Sequence, residues 1–300
     1  MLHIAWSFVY AHPLPSGHRF PMQKYNLLPE QLLYEGTITD ANLFEPEPLS
    51  EEIILETHDA DYWQRLSHLQ LTASEMRKTG FPHSPQLINR EITIMDGTVK
   101  AALFALEHGV AMNIAGGTHH AFTKRGEGFC LLNDQAIAAN YLLHHKQLNK
   151  ILIVDLDVHQ GNGTAQIFEQ EPRVYTFSMH CGHNYPFHKE KSDLDVPLAD
   201  GTDDTTYLEI LQNTLPRLIE TVEPDFIFYQ CGVDVLATDK LGKLALSLDG
   251  CKARDRFVLE TCKRNQIPVA ASMGGGYSER LADIVEAHAN TFRLAQYLYF

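Results

Sequence analysis

From about residue 89 onward the chain alternates between two hydrophobic patterns. Amphipathic stretches, with apolar positions three and four apart, give way to short unbroken apolar runs. The first pattern predicts helices and the second predicts strands buried on both faces. A helix over about 91–109 leads into 110-VAMNIA-115, and a helix after Asn133 leads into 151-ILIVD-155. Further helices near 161–170, 203–222 and 250–265 precede the runs 173-RVYTFSM-179, 225-DFIFYQ-230 and 267-IPVAAS-272. A last helix is expected over 278–298. Such alternation belongs to an α/β protein, a three-layer α/β/α domain with a mainly parallel sheet. Residues 1–90 are less regular and richer in proline. They are expected to add outer helices and loops to the same domain, which would span 1–300.

The polar residues follow this pattern closely. HH at 119–120, DLDVHQGN at 155–162, SMHCGHNY at 178–185, CGVD at 231–234 and MGGGY at 273–277 each come after an apolar run. Ligands of open α/β sheets bind at the carboxyl ends of the strands. Five strand ends carrying His, Asp and Tyr therefore predict one shared cleft.

The segment 151-ILIVDLDVHQGNGT-164 poses the sharpest question. Ionised carboxylates beside Ile and Val cost several kcal/mol unless they are paired or bound to metal. Asp155, Asp157 and His159 are spaced to face one side if the strand runs that far. A single aspartate at a strand end commonly caps loop amides. The triplet, with Gly161 and Gly163 allowing tight turns, points instead to a metal dication. Asp234 alone would read as a helix N-cap. With Asp157 and His159 it completes two carboxylates and one imidazole, and catalytic zinc sites offer three protein ligands and an open position. This mixed set also accepts Fe²⁺, Mn²⁺ or Co²⁺.

Beside such a metal, His119 and His120 could serve as a general base and an electrostatic partner, with Asp155 holding one of them. The run 273-MGGGYSER-280 is not a dinucleotide fingerprint. Its glycines would let the backbone turn and bring the Tyr277 hydroxyl to an oxyanion; standing alone it would read as a turn before a packed aromatic. Phe129 could wall a narrow channel or belong to the core, and Cys130 reads as a small buried hydrophobe.

Composition narrows the partners. The net charge of −14 and the absence of a basic block argue against nucleic acid and are compatible with a cationic substrate. Five cysteines without CxxC spacing read as reduced thiols of a cytoplasmic protein. The N-terminus lacks the pattern of a secretory signal, and no apolar run reaches the roughly 18 residues of a membrane span. Oligomeric state is not encoded in any of these features.

Taken in order, HH, GFCLLND, VDLDVHQGNGT, SMH, QCGVD…DKLG and GGGY resemble the histone deacetylase family, over roughly residues 100–280. The stretches 12-HPLPSGHRFPMQKYNLL-28, 57-THDADYW-63 and 183-HNYPFHKEKSDLDVPL-198 resemble its bacterial branch close to class IV. The resemblance implies an arginase-like fold with zinc held by Asp157, His159 and Asp234. It implies tandem catalytic histidines His119 and His120, a catalytic Tyr277, and a substrate channel at Gly128, Phe129 and Gly275. The Gly128 carbonyl would accept the substrate amide N–H. Tyr185 and Phe187 compete for the second channel aromatic. A structural monovalent cation, usually potassium, would use Asp155 with oxygens near Asp157, His159, Ser178 and Met179. Class I members carry an aspartate where this chain has Asn162, so His120 should be neutral more readily here.

The expected reaction is hydrolysis of an N-acyl amine, most simply an acetylated lysine, by metal-activated water. Acetylated polyamines and long-chain fatty-acyl lysines fit the same chemistry. A binuclear manganese ureohydrolase and a non-catalytic acyl-group binder are the rivals. The first needs carboxylates for a second metal, and the second would be expected to lack a ligand, a histidine or the tyrosine.

Overall fold

The computed structural model describes residues 1–300. Strand β1 (His3–Ala5) and helix α1 (Lys24–Tyr34) come first, then β2 (Leu43–Phe44) and three short helices, α2 (Glu51–Leu55), α3 (Ala60–Ser67) and α4 (Ala73–Thr79). The long helix α5 (Pro85–His108) leads into β3 (Val110–Asn113), and α6 (Asp134–His145) into β4 (Ile151–Asp155). Helix α7 (Asn162–Phe168), β5 (Val174–Cys181), β6 (Leu194–Leu198), α8 (Asp204–Val222) and β7 (Phe226–Gln230) follow. Helix α9 (Leu248–Arg264), β8 (Val269–Ser272) and α10 (Leu281–Tyr299) complete the chain.

The strands form one eight-stranded sheet in the order β2-β1-β3-β8-β7-β4-β5-β6, parallel at every pairing. Helix α5 packs on α6 and over β1, β3 and β8, while α10 packs against α1 and α9, which in turn meets α8. Strands β3, β4, β7 and β8 are buried along their whole length, as continuous apolar runs require. The architecture is the expected α/β one.

Three strands depart from the expectation. The N-terminal region supplies β1 and β2 as well as outer helices, and β1 sits between β2 and β3. Two or three residues are too few to show a period, so their strand character comes from pairing alone. Strand β6 carries Pro197, which a sheet tolerates at an edge, and β6 is the outermost strand. Helix α5 starts earlier than its apolar period suggests. Ser84 accepts from Leu87 N–H, Pro85 occupies the first turn, and Gly109 closes the far end with φ of 85°.

His58, between α2 and α3, shows how the first segment is tied to the rest. Its Nδ1 donates to the Phe122 carbonyl at 3.0 Å and its Nε2 accepts the Asn133 N–H at 3.0 Å, a tautomer assigned from these partners. Burial lowers its pKa to about 4. The unfolded chain takes up this proton below about pH 6.5 while the folded chain refuses it. The stabilisation is therefore complete above that value and is lost as pH falls toward 4, by about 2 kcal/mol at pH 5. Urea unfolding at neutral pH and at pH 5 should show a shallower decline for His58→Gln than for the parent. Parallel declines would refute the assignment.

Candidate metal and catalytic site

Strand β4 stops at Asp155, so Asp157 and His159 lie in the loop beyond it and not along an extended strand. Their convergence has another cause. Asp155 Oδ1 accepts the Asp157 N–H at 3.1 Å, and Asp157 Oδ1 accepts the His159 N–H at 3.0 Å. Each carboxylate takes the amide two residues on, which coils the loop. Neighbouring strand ends are laced to it. Asp234, after β7, accepts the Val158 N–H at 3.0 Å, and Gly275, after β8, donates to Asp157 Oδ2 at 2.9 Å. No helix follows Asp234 directly, so it caps none.

One donor atom from each of Asp157, His159 and Asp234 lies within 4.8 Å of the other two, and all three residues are buried. His159 Nδ1 is 3.0 Å from Asp157 Oδ1 and 3.2 Å from Asp234 Oδ2. Burial opposes charge on His159, yet hydrogen bonds to the two carboxylates prevail and push its pKa up to about 10. Burial and the nearby Asp157 raise Asp234 to about 7. Two buried carboxylates so close together call for positive charge, and the N/O donor set fits a divalent metal. Gly275 makes the approach feasible. A Cβ there would stand 1.9 Å from Asp234 Oδ2 and 2.9 Å from Asp157 Oδ2.

The tandem histidines lie against this set in different states. His119 Nδ1 meets Asp155 Oδ2 at 2.7 Å, whereas His120 Nδ1 meets Asn162 Oδ1 at 2.7 Å. Burial works against charge on both. Asp155 and Asp157 overcome it at His119, whose pKa rises to about 9. At His120 nothing does, and burial together with His119 and His159 holds it well below 6.5. Because the Asn162 oxygen accepts from Nδ1–H, a neutral His120 keeps its lone pair on Nε2.

Tyr277 lines the same cavity as both histidines and the three donors. Burial, then Asp234 and Asp157, raise its phenol well above 10, so it stays protonated. Phe129 packs 5.8 Å from the Tyr277 ring, and its backbone adopts φ of +67°, unusual for a bulky residue. Gly128 has φ of +54°, and a Cβ there would strike His120 Cδ2 at 2.7 Å. Tyr185 stands edge-on to His120 at 5.0 Å and donates to Glu127 Oε2 at 2.8 Å. Phe187 is 85% exposed at the rim, so Tyr185 is the inner of the two aromatics. Ser178 is the register partner of Asp155, its hydroxyl 3.0 Å from His180 Nδ1, and Met179 is buried next to it. Cys130 is buried with a thiol pKa raised by burial.

Several supporting residues escaped the sequence reading. Lys24 is fully buried, and its Nζ donates to the Gly274 carbonyl at 3.0 Å. Burial lowers its pKa to about 8, with Asp234 and Asp157 acting the other way. Asp239 accepts the Tyr277 N–H at 2.6 Å and the Leu241 and Gly242 amides at 2.8 and 2.9 Å. Asp134 accepts from Thr118 and Ser272, joining the loop after β3 to the end of β8. Lys24 lies in the irregular first segment, where no local pattern sets it apart from a solvated lysine. Asp134 and Asp239 lay within quoted motifs with nothing local to separate them from solvated aspartates.

A family profile described as the histone deacetylase domain matches residues 18–292. The chain belongs to the histone deacetylase family. Among its relatives is an uncharacterized protein of Picosynechococcus sp., 46% identical over 97% of both chains. Histone deacetylase 2 of Arabidopsis thaliana is 30% identical over 89% of this chain and 72% of its own. Among solved structures, a histone deacetylase homologue from Aquifex aeolicus superposes with a TM-score of 0.84 at 25% identity, covering 98% of this chain and 84% of that one. A homologue complexed with SAHA gives 0.86, with the same identity and coverage. Family membership makes the chain a deacetylase, a hydrolase of amide C–N bonds, and sets aside the ureohydrolase and binder alternatives. No helix of this histone deacetylase relative is long and apolar enough to cross a membrane.

Proposed function

We propose that residues 1–300 form one catalytic domain that removes acetyl groups from lysine side chains with zinc held by Asp157, His159 and Asp234. The observation that carries this is the convergence of those three donors beside a neutral His120 and a protonated Tyr277. When bound there, zinc would acidify a water molecule and polarise the amide carbonyl. The chain's own groups supply the rest. Phe129 and Tyr185 flank the methylenes of the substrate lysine, and the Gly128 carbonyl accepts the amide N–H. His120 Nε2 takes a proton from the attacking water and returns it to the leaving amine. His119, kept cationic by Asp155, stabilises the negative charge of the tetrahedral intermediate, and the Tyr277 hydroxyl donates to its oxygen.

Asp155 supports a second part of the proposal, a potassium ion beside Ser178 and Met179. Burial raises its pKa even though His119 lies against it, which favours a further cation nearby. Fe²⁺ could replace zinc, because the donor set does not discriminate sharply.

The inner cavity supports acetyl over longer acyl groups. It has about 40 Å³ of free space, against roughly 150 Å³ for an engineered cavity that admits benzene. Zinc-loaded protein should hydrolyse an acetyl-lysine peptide at least about tenfold faster than its decanoyl counterpart, since an acyl chain too long for the cavity must displace packed side chains at a cost of about 1–3 kcal/mol. Asp234→Asn should lose both metal content and turnover. Equal rates on the two acyl lengths would remove the chain-length claim, and full activity of Asp234→Asn without zinc would remove the metal site.

A further inference from the structure

The channel opens into a vestibule whose charge is opposite to that of the whole molecule. The chain carries −14, yet no aspartate or glutamate lines this mouth. Its charged side chains are Arg19, Lys78 and Lys243, with the His183 imidazole beside them. Arg19 and Lys78 are exposed. The Arg19 guanidinium lies 5.0 Å above the Phe129 ring and is not engaged by a carboxylate. Lys78 lies in the last turn of α4 and its side chain reaches no acidic partner; its backbone carbonyl accepts the Gly128 N–H at 3.0 Å. The carboxylate nearest the opposite side is Asp200, 3.6 Å from Lys243 Nζ and 3.1 Å from His183 Nδ1, and it offsets part of their charge. Glu127, just inside, is taken by Tyr185 and Arg125. Arg19 and Lys78 thus remain as uncompensated cations beside Gly128 and Phe129, where the substrate's backbone must pass.

We infer that this mouth selects an acetyl-lysine flanked by acidic residues, and selects against polycationic tails and acetylated polyamines. The inference rests on the deacetylase reading and names its substrate class. Clefts lined by one sign of charge raise the encounter rate of oppositely charged ligands by about 10- to 1000-fold at low salt, and like charges are repelled.

The test uses three peptides of equal length with one acetyl-lysine, flanked by Asp/Glu, by Gln/Ser or by Lys/Arg, together with an acetylated polyamine. For zinc-loaded enzyme at low ionic strength, kcat/KM should be about tenfold or more higher for the acidic than for the basic peptide. That ratio should shrink at about 0.5 M salt, where charges a few ångströms apart are screened. Arg19→Gln/Lys78→Gln/Lys243→Gln, checked for an unchanged melting temperature, should bring the ratio close to one; Lys78→Gln alone should move it part of the way. Binding of the same peptides to Tyr277→Phe protein, read by fluorescence anisotropy, should rank them in the same order. A basic peptide or polyamine that binds and reacts as well as the acidic peptide at low salt overturns the inference and leaves the deacetylase reading standing. If no peptide is hydrolysed, that reading falls, while the binding order still decides this one.

Discussion

Tyr277→Phe is expected to lower kcat by about 100- to 1000-fold while zinc content stays that of the parent. The substitution removes one hydroxyl and little else. The backbone N–H of Tyr277 is fixed by Asp239 at 2.6 Å, and its ring is packed 5.8 Å from Phe129 and 6.1 Å from Phe20. None of these contacts uses the phenol oxygen. What is lost is a donor whose pKa is driven up by burial and by the carboxylates of Asp234 and Asp157, so that it stays neutral through the working pH range. Such a group gains most from hydrogen bonding when negative charge develops on the substrate oxygen, in the transition state. The loss should therefore appear in kcat and kcat/KM together, with KM nearly unchanged. Metal analysis and steady-state kinetics on the same preparation check this. Near-parental turnover would exclude Tyr277 as the oxyanion donor and move that role to another group in the cavity.

Much of this geometry could be anticipated where cause and effect are close in sequence. The apolar runs of β3, β4, β7 and β8 are nearly continuous, so their strand character and burial follow from local pattern. The clustering of polar residues after these runs likewise located the cleft. What depends on tertiary pairing was not legible. Strand β1 exists because β3 is beside it, and β2 because β1 is. Period-two reasoning on Asp155, Asp157 and His159 assumed a strand that in fact ends at the first of them, and the loop's own carboxylate-to-amide bonds do the aiming. Tyr185 and Phe187 are equivalent in sequence spacing. Only the fold sets one against His120 and leaves the other in solvent.

The least legible element is Arg254, an arginine on α9 with no local sign of its importance, and Arg254→Met is expected to destabilise the protein by about 3–5 kcal/mol. Both Arg254 and Asp255 are wholly buried, with guanidinium and carboxylate 2.7 Å apart. Removing the cation leaves Asp255 charged in the interior. It keeps the Tyr229 and Thr291 hydroxyls, at 2.5 and 2.6 Å, but has no counter-ion. The guanidinium also donates to the Leu156 carbonyl at 3.1 Å and to the Gly232 carbonyl at 2.7 Å. Leu156 immediately precedes Asp157, and Gly232 lies two residues before Asp234, so one side chain fastens from behind both loops that carry the proposed metal ligands. Against the 5–15 kcal/mol that stabilises a typical domain, the loss is a large fraction of the total. Arg254→Met/Asp255→Leu should recover part of it by removing the stranded charge, but not all, because two hydroxyls and the loop carbonyls still lack partners. Denaturant unfolding of the parent and both variants orders the three. Zinc titration of whichever variants fold should show weaker binding than the parent, since the loops carrying Asp157 and Asp234 have lost the tie that Arg254 supplies. An Arg254→Met protein within about 1 kcal/mol of the parent would mean that water or a shifted side chain satisfies Asp255, and the site would then depend on the loops' own hydrogen bonds alone.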